Sequence, residues 1–165
     1  MFARYFVEIP LPTERVERLL THDPSSWLPG LASHANHRGD ELLAEVGFGE
    51  KIRVAREVAI TVGAPVHAGT KTLIPLRWVP SGAPGLFPSL DADLEVAPLG
   101  HDRTQLAMSA RYAPPLKALG RVIDRVVLFR VAEATLKDFL DGVAIAVMAL
   151  EHDTATATDG SGSTA

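Results

Sequence analysis

The sequence predicts an α+β fold in which a run of antiparallel strands is organised around one long C-terminal helix. Two observations predict it. Residues Pro114 to Leu150 contain no proline after Pro115 and carry a helical apolar stripe. With Val122 at zero on a wheel of 100° per residue, Val126, Phe129, Leu136, Leu140 and Val147 fall within about 40° of it. Lys117, Arg121, Asp124, Thr135 and Asp138 take the opposite side, while Glu133 falls inside the apolar stripe. Before that helix, several stretches alternate apolar and polar residues with a period of two, which is the pattern of half-buried strands.

Taken in order, Phe2 to Ile9 is rich in aromatic and β-branched residues and stops at Pro10 and Pro12, which cannot donate to a ladder; it is the first strand. Thr13 is placed to cap a helix through Leu20, with Val16, Leu19 and Leu20 on its apolar side and Glu14 near its positive end. Asp23-Pro24 opens a second, shorter helix containing Trp27 and Leu28, closed by Pro29-Gly30. Ser33 to Gly39 is a polar loop. Asp40 to Phe48 alternates as a strand, and Gly49-Glu50 turns into Lys51 to Val62, where Ile52, Val54, Val58, Ile60 and Val62 share a side that Arg56 interrupts.

After the break at Gly63-Ala64-Pro65, Val66 to Val79 reads as one strand with Thr70, Thr72, Ile74, Leu76 and Trp78 facing together. Pro75 within it implies an edge position or a bulge. Pro80 to Pro88 is a loop with an apolar Leu86-Phe87 tip. Leu90, Ala92, Leu94 and Val96 alternate with Asp91, Asp93 and Glu95. Leu99 to Asp102 turns the chain into Arg103 to Tyr112, whose inner face is Leu106, Met108, Ala110 and Tyr112. Pro114-Pro115 ends that strand and pre-sets the first turn of the last helix. The sheet therefore has about six or seven strands. No internal repeat is present.

The chain has 165 residues, 47% hydrophobic and 22% charged, with a net charge of −4. That is one globular domain, expected over residues 1–152, followed by a tail (153–165) too poor in apolar residues to fold. A negative balance with scattered cations provides no patch for nucleic acid or anionic lipid. The chain has no cysteine, which excludes disulfides, thiolate metal sites and cysteine nucleophiles. The N-terminal run, interrupted by Arg4 and Glu8, lacks the apolar region of a signal peptide, and no stretch is long and apolar enough to span a bilayer. A cytoplasmic protein without stable membrane insertion is expected.

Strand, two short helices, a run of antiparallel strands and one long helix resembles the helix-grip fold of the START and Bet v 1-like superfamily, which includes polyketide cyclases and lipid-transfer proteins. Local sequence adds to the resemblance. Val7-Glu8-Ile9-Pro10-Leu11-Pro12 followed by Thr13-Glu14-Arg15-Val16 is similar to the superfamily's passage from strand one into helix one. Tyr112-Ala113-Pro114-Pro115-Leu116 and Arg130-Val131-Ala132-Glu133-Ala134-Thr135 are similar to actinobacterial members of unassigned function.

The resemblance implies a hydrophobic cavity between sheet and helix, for a lipid, a polyketide or another apolar molecule. Its candidate lining is Trp27, Arg56, Thr72, Trp78, Met108, Tyr112, Phe129 and Glu133. Large apolar residues such as Trp27, Trp78, Met108 and Phe129 also fill ordinary cores. Arg56 and Glu133 carry charge on apolar faces, which costs several kcal/mol of effective desolvation unless the groups are paired or wet. One reading pairs them across the cavity, leaving a guanidinium edge for a ligand carbonyl or carboxylate. The other sends Arg56 to solvent through a bulge and lets Glu133 reach out along the helix.

No metal or cofactor is expected. His22, His34 and His37 lack an acidic third ligand, and the sequence contains no dinucleotide fingerprint, phosphate loop or nucleophile elbow. The leading expectation is noncatalytic binding of a hydrophobic small molecule. One alternative is a polyketide cyclase or aromatase in which Tyr112 serves as an acid. A second is a protein-interaction module using the Leu86-Phe87 loop or a sheet edge.

Overall fold

The computed structural model describes residues 2–22, 24, 28, 30–31, 58–80, 90–112 and 125–159. Its elements run β1 (Phe2–Ile9), α1 (Thr13–His22), β2 (Val58–Val62), β3 (Val66–Ala68), β4 (Lys71–Pro80), β5 (Leu90–Pro98), β6 (Thr104–Tyr112) and α2 (Arg125–Asp159). Residues 24, 28, 30 and 31 are also helical. The six strands form one antiparallel sheet in the order β1-β6-β5-β4-β2, with β3 also pairing β4. The long helix α2 packs against β1 and β6. This is the α+β helix-grip arrangement. The strand expected over Asp40 to Phe48 and the loop at Leu86-Phe87 lie outside the described residues.

Alternation fixes which face of the sheet is buried. Ala3 and Ile9 of β1, Thr72, Ile74, Leu76 and Trp78 of β4, Ala92, Leu94 and Val96 of β5, and Leu106, Met108 and Ala110 of β6 are buried on one side. The register aligns them across the sheet, with Trp78 opposite Leu90, Leu94 opposite Met108 and Met108 opposite Tyr5. A shift of one residue would turn each of these rows toward solvent. Against this face lie Val16 and Leu20 of α1 and the buried stripe of α2, Leu136, Phe139, Leu140, Val143 and Val147.

Three local expectations are corrected. First, Val66 to Val79 is two strands, because the chain turns at Gly69-Thr70, where Gly69 takes a φ of 66°. Glycine accepts that left-handed conformation without the penalty a Cβ imposes. Pro75 falls opposite the break between β2 and β3: β2 pairs down to Val62–Leu76 and β3 resumes at Val66–Leu73. The Gly63 N–H donates to the Pro75 carbonyl at 2.7 Å, and the proline's missing donor coincides with the interruption of the partner strand.

Second, the cap of α1 is Pro12 instead of Thr13. The Pro12 carbonyl accepts from Val16 N–H at 3.2 Å and from Arg15 N–H at 3.0 Å. The Thr13 hydroxyl meets that of Thr104 at 3.2 Å, and Thr104, fully buried, donates to the Leu11 carbonyl at 2.7 Å. Thr104 thereby ties the start of β6 to the turn between β1 and α1.

Third, α2 continues through residues 153–159, which the sequence assigned to a tail. Alanine favours a helix, and the Thr154 hydroxyl bonds back to the carbonyls of Leu150 and Glu151 at 2.9 and 2.8 Å. Near the same end, Arg15 Nε donates to Glu151 Oε2 at 2.7 Å and joins α1 to α2.

Candidate functional site

The stripe that α2 buries differs from the one its sequence suggests. On the same helical wheel, Leu136, Phe139, Leu140, Val143 and Val147 centre roughly 45° to the Phe139 side of the expected line. Phe139, absent from the expected stripe, is fully buried and meets the Trp78 ring edge-on at 5.5 Å. Glu133 is displaced by the same rotation from the buried face to an exposed one. The expectation that an acid sits on the buried face of α2 is thus corrected. Its carboxylate avoids the desolvation a buried charge would incur.

Arg130, Glu133, Ala134 and Lys137 follow one another at helical spacing and form a second stripe on α2. This stripe and the start of β1 line an open cleft of about 380 Å³. Its apolar surface comes from Tyr5, Ala134 and Leu136, while Arg4, Arg130, Glu133 and Lys137 supply charge. Tyr5 is half-buried because it lies on the inward side of β1, next to exposed Arg4. The Lys137 ammonium stands 5.4 Å from the Tyr5 ring centroid and bonds the Asp141 carboxylate one turn on. The Asp141 hydrogen bond and charge, with a smaller contribution from Tyr5, raise the Lys137 pKa above its ordinary value.

Arg4 reaches Glu95 Oε1 at 3.6 Å on the other face of the sheet, but the same carboxylate takes a shorter contact, 3.0 Å, from Lys71. Arg130 and Glu133 form no ion pair with a described residue.

A second, smaller cleft of about 230 Å³ lies between the end of α1 and the β2–β3 break, bordered by Leu20, Thr21, Val62, Pro65 and Ile74. The Gly63 backbone approaches Pro75 beside it, so that a Cβ on Gly63 would stand 3.0 Å from the Pro75 Cβ. His67, on β3, brings Nδ1 to 2.9 Å from the Thr72 hydroxyl and 3.6 Å from Glu17 Oε1. That contact satisfies Thr72, which is otherwise a buried polar residue. Among the described residues there is no cluster of side chains able to hold a metal ion.

Of the residues proposed from sequence to line a cavity, Glu133 lines the larger cleft. Trp78 and Met108 are packed within the core, Thr72 is held by His67, and Phe129 is half-buried on α2. None of these four borders either cleft. Tyr112 pairs with Leu90 at the end of β6. Trp27 and Arg56 lie outside the described residues, and so does the pairing of Arg56 with Glu133. Sequence reasoning missed Arg4, Tyr5, Arg130 and Lys137. The spacing of Arg130, Glu133, Ala134 and Lys137 was visible, but only packing shows that β1 lies opposite.

No family model matches the chain, and no curated protein matches it. Among solved structures, it is similar to a START superfamily protein from Mycobacterium smegmatis at 12% identity and a TM-score of 0.49, covering 90% of this chain and 98% of the other. It is similar to a protein from Thermus thermophilus at 16% identity and a TM-score of 0.46, over 91% and 99% of the two chains. It is also similar to the Zhui aromatase/cyclase from a Streptomyces species at 15% identity and a TM-score of 0.43, over 90% and 93%.

Proposed function

We propose that this protein binds a hydrophobic small molecule, of lipid or polyketide-like character, without chemically transforming it, and that the ligand lies between β1 and α2. The observation that supports this reading is the open cleft of about 380 Å³, with an apolar wall from Tyr5, Ala134 and Leu136 and charged groups beside it. Its volume falls within the usual range for small-molecule sites, and its combination of apolar wall and few polar groups is what such sites use for affinity and orientation. The resemblance in sequence to the START and Bet v 1-like superfamily points to the same ligand class.

The cleft also has a physical basis in the helix. From Leu136 onward α2 buries large side chains against the sheet, whereas Arg130, Glu133 and Ala134 leave the space beside β1 unfilled. Apolar surface left open to water gains on being covered, at about 25 cal/mol per Å². Native mass spectrometry of gently purified protein tests the proposal. The expected result is a noncovalent adduct of one small apolar molecule, lost on denaturation and lost in an Ala134→Trp variant. An adduct retained in full by that variant would move the ligand elsewhere.

A further inference from the structure

We infer that this protein pairs with a second copy of itself along the free edge of β1, in one antiparallel register with Phe6 on the two-fold axis. The inference is independent of the ligand proposed above. Among the described residues β1 ends the sheet, with β6 on one side and no strand on the other. Its 8 residues pair with β6 without a bulge, from Phe2 opposite Arg111 to Ile9 opposite Thr104. Edge strands that stay solitary are commonly very short, bulged, or marked by proline or lysine. β1 has none of these features, and on its outer face Phe2 and Phe6 are 60% and 57% exposed.

The two charges of the strand decide what fits against it. The outer row of β1 is Phe2, Arg4, Phe6 and Glu8, and the inner row is Ala3, Tyr5, Val7 and Ile9. Two copies related by a two-fold axis pair antiparallel, and their faces match when the axis passes through a residue. An axis at Arg4 or at Glu8 sets like charges opposite each other. An axis at Tyr5 or at Val7 sets Glu8 opposite a phenylalanine. With the axis at Phe6, Arg4 faces Glu8 of the partner subunit twice over, and Phe6 faces Phe6 of the partner subunit. On the inner row Tyr5 then faces Val7 of the partner subunit. Opposite charges, aromatic pairs and aromatic with β-branched pairs are the favourable cross-strand combinations, whereas like charges directly opposite are unfavourable.

A foreign strand without this order meets an unpaired charge, so the groups that admit a second copy discourage other partners. Neither charge is tied up within the chain. On the outer face Arg4 approaches Glu95 at 3.6 Å, and Glu8 approaches Arg103 at 3.7 Å. Arg4 and Glu8 are each about half exposed, and long pairs of this kind contribute little.

Analytical ultracentrifugation of the full-length protein across the micromolar range tests the inference. The wild type is expected to sediment as a reversible dimer of the 17.7 kDa chain. Arg4→Glu and Glu8→Arg each create two like-charge pairs per dimer, and each is expected to weaken self-association at least about tenfold. An equimolar mixture of these two variants restores both opposite-charge pairs and is expected to dimerise again, as is the Arg4→Glu/Glu8→Arg double variant. Phe6→Arg, a change at an exposed position, is expected to give a monomer with an unaltered circular dichroism spectrum. A wild type that stays monomeric, a dimer that survives the single charge reversals, or a mixture no more associated than its components overturns the inference and leaves the binding function standing.

Discussion

Two stretches of the same helix, residues 130–134 and 136–147, meet the sheet in opposite ways. In the later stretch Phe139, Leu140, Val143 and Val147 are all but inaccessible and close the core over β4, β5 and β6. In the earlier one Arg130 and Glu133 are exposed beside β1, and a cleft remains. The backbone is helical throughout, so the difference lies in side-chain chemistry. Large apolar residues at helical spacing produce a packed seam. Two charged residues and an alanine at that spacing leave an open one. One helix can thus provide both the stability of the fold and a place for a ligand.

The largest effect expected from testing this contrast is on the packed side. Leu140→Ala removes a fully buried side chain and should destabilise by about 2–5 kcal/mol, measured by urea unfolding. A loss below about 1 kcal/mol would mean that this seam is looser than described. Gly63→Val brings a Cβ to 3.0 Å from the Pro75 ring at the β2–β3 break, where the closed ring has little freedom to yield. A cost of about 1–3 kcal/mol is expected from overpacking. Thr104→Val leaves the Leu11 carbonyl without its buried donor and should cost a comparable amount, about 1–3 kcal/mol.

On the open side the balance reverses. Ala134→Leu should change stability by no more than about 0.5 kcal/mol while greatly weakening Nile red binding, since the added side chain occupies the cleft. A large stability loss there would show that the cleft is closed in solution.

The smallest effect concerns pH. Lys137 has its pKa raised by Asp141 and, less, by Tyr5. A lysine raised in the folded state stabilises the fold below its unfolded pKa, and that contribution is lost as pH rises through the folded value. The difference in Tm between wild type and Lys137→Gln should therefore be constant through neutral pH and shrink only above the ordinary lysine value of 10.5. A change near neutrality would assign the effect to another group.

Much of the architecture was legible in the sequence because it depends on short-range periodicity. The alternation of Leu90 to Val96 against Asp91 to Glu95, the stop at Pro10 and Pro12, and the turn at Gly100, which takes a φ of 102°, all appear where the pattern places them. The split at Gly69 was hidden because β3 is only three residues long and exposed throughout, so it carries no apolar alternation of its own.

The site was less legible, for a related reason. A helical wheel fixes the angles among Phe129, Glu133 and Leu136, yet it does not fix how the helix rolls against the sheet. Burying Phe139 against Trp78 rolls α2 by roughly 45°, and that turns Glu133 outward. The opposite wall comes from Arg4 and Tyr5, more than a hundred residues earlier, and no local signal links them to Arg130.

The most direct measurement is a crystal structure of the protein with a neutral apolar dye such as Nile red bound. Ligand density is expected between β1 and α2, against Tyr5, Ala134 and Leu136. Density confined to the smaller cleft beside Gly63, or to the seam under Phe139 and Leu140, would contradict a ligand site on the open stretch of α2.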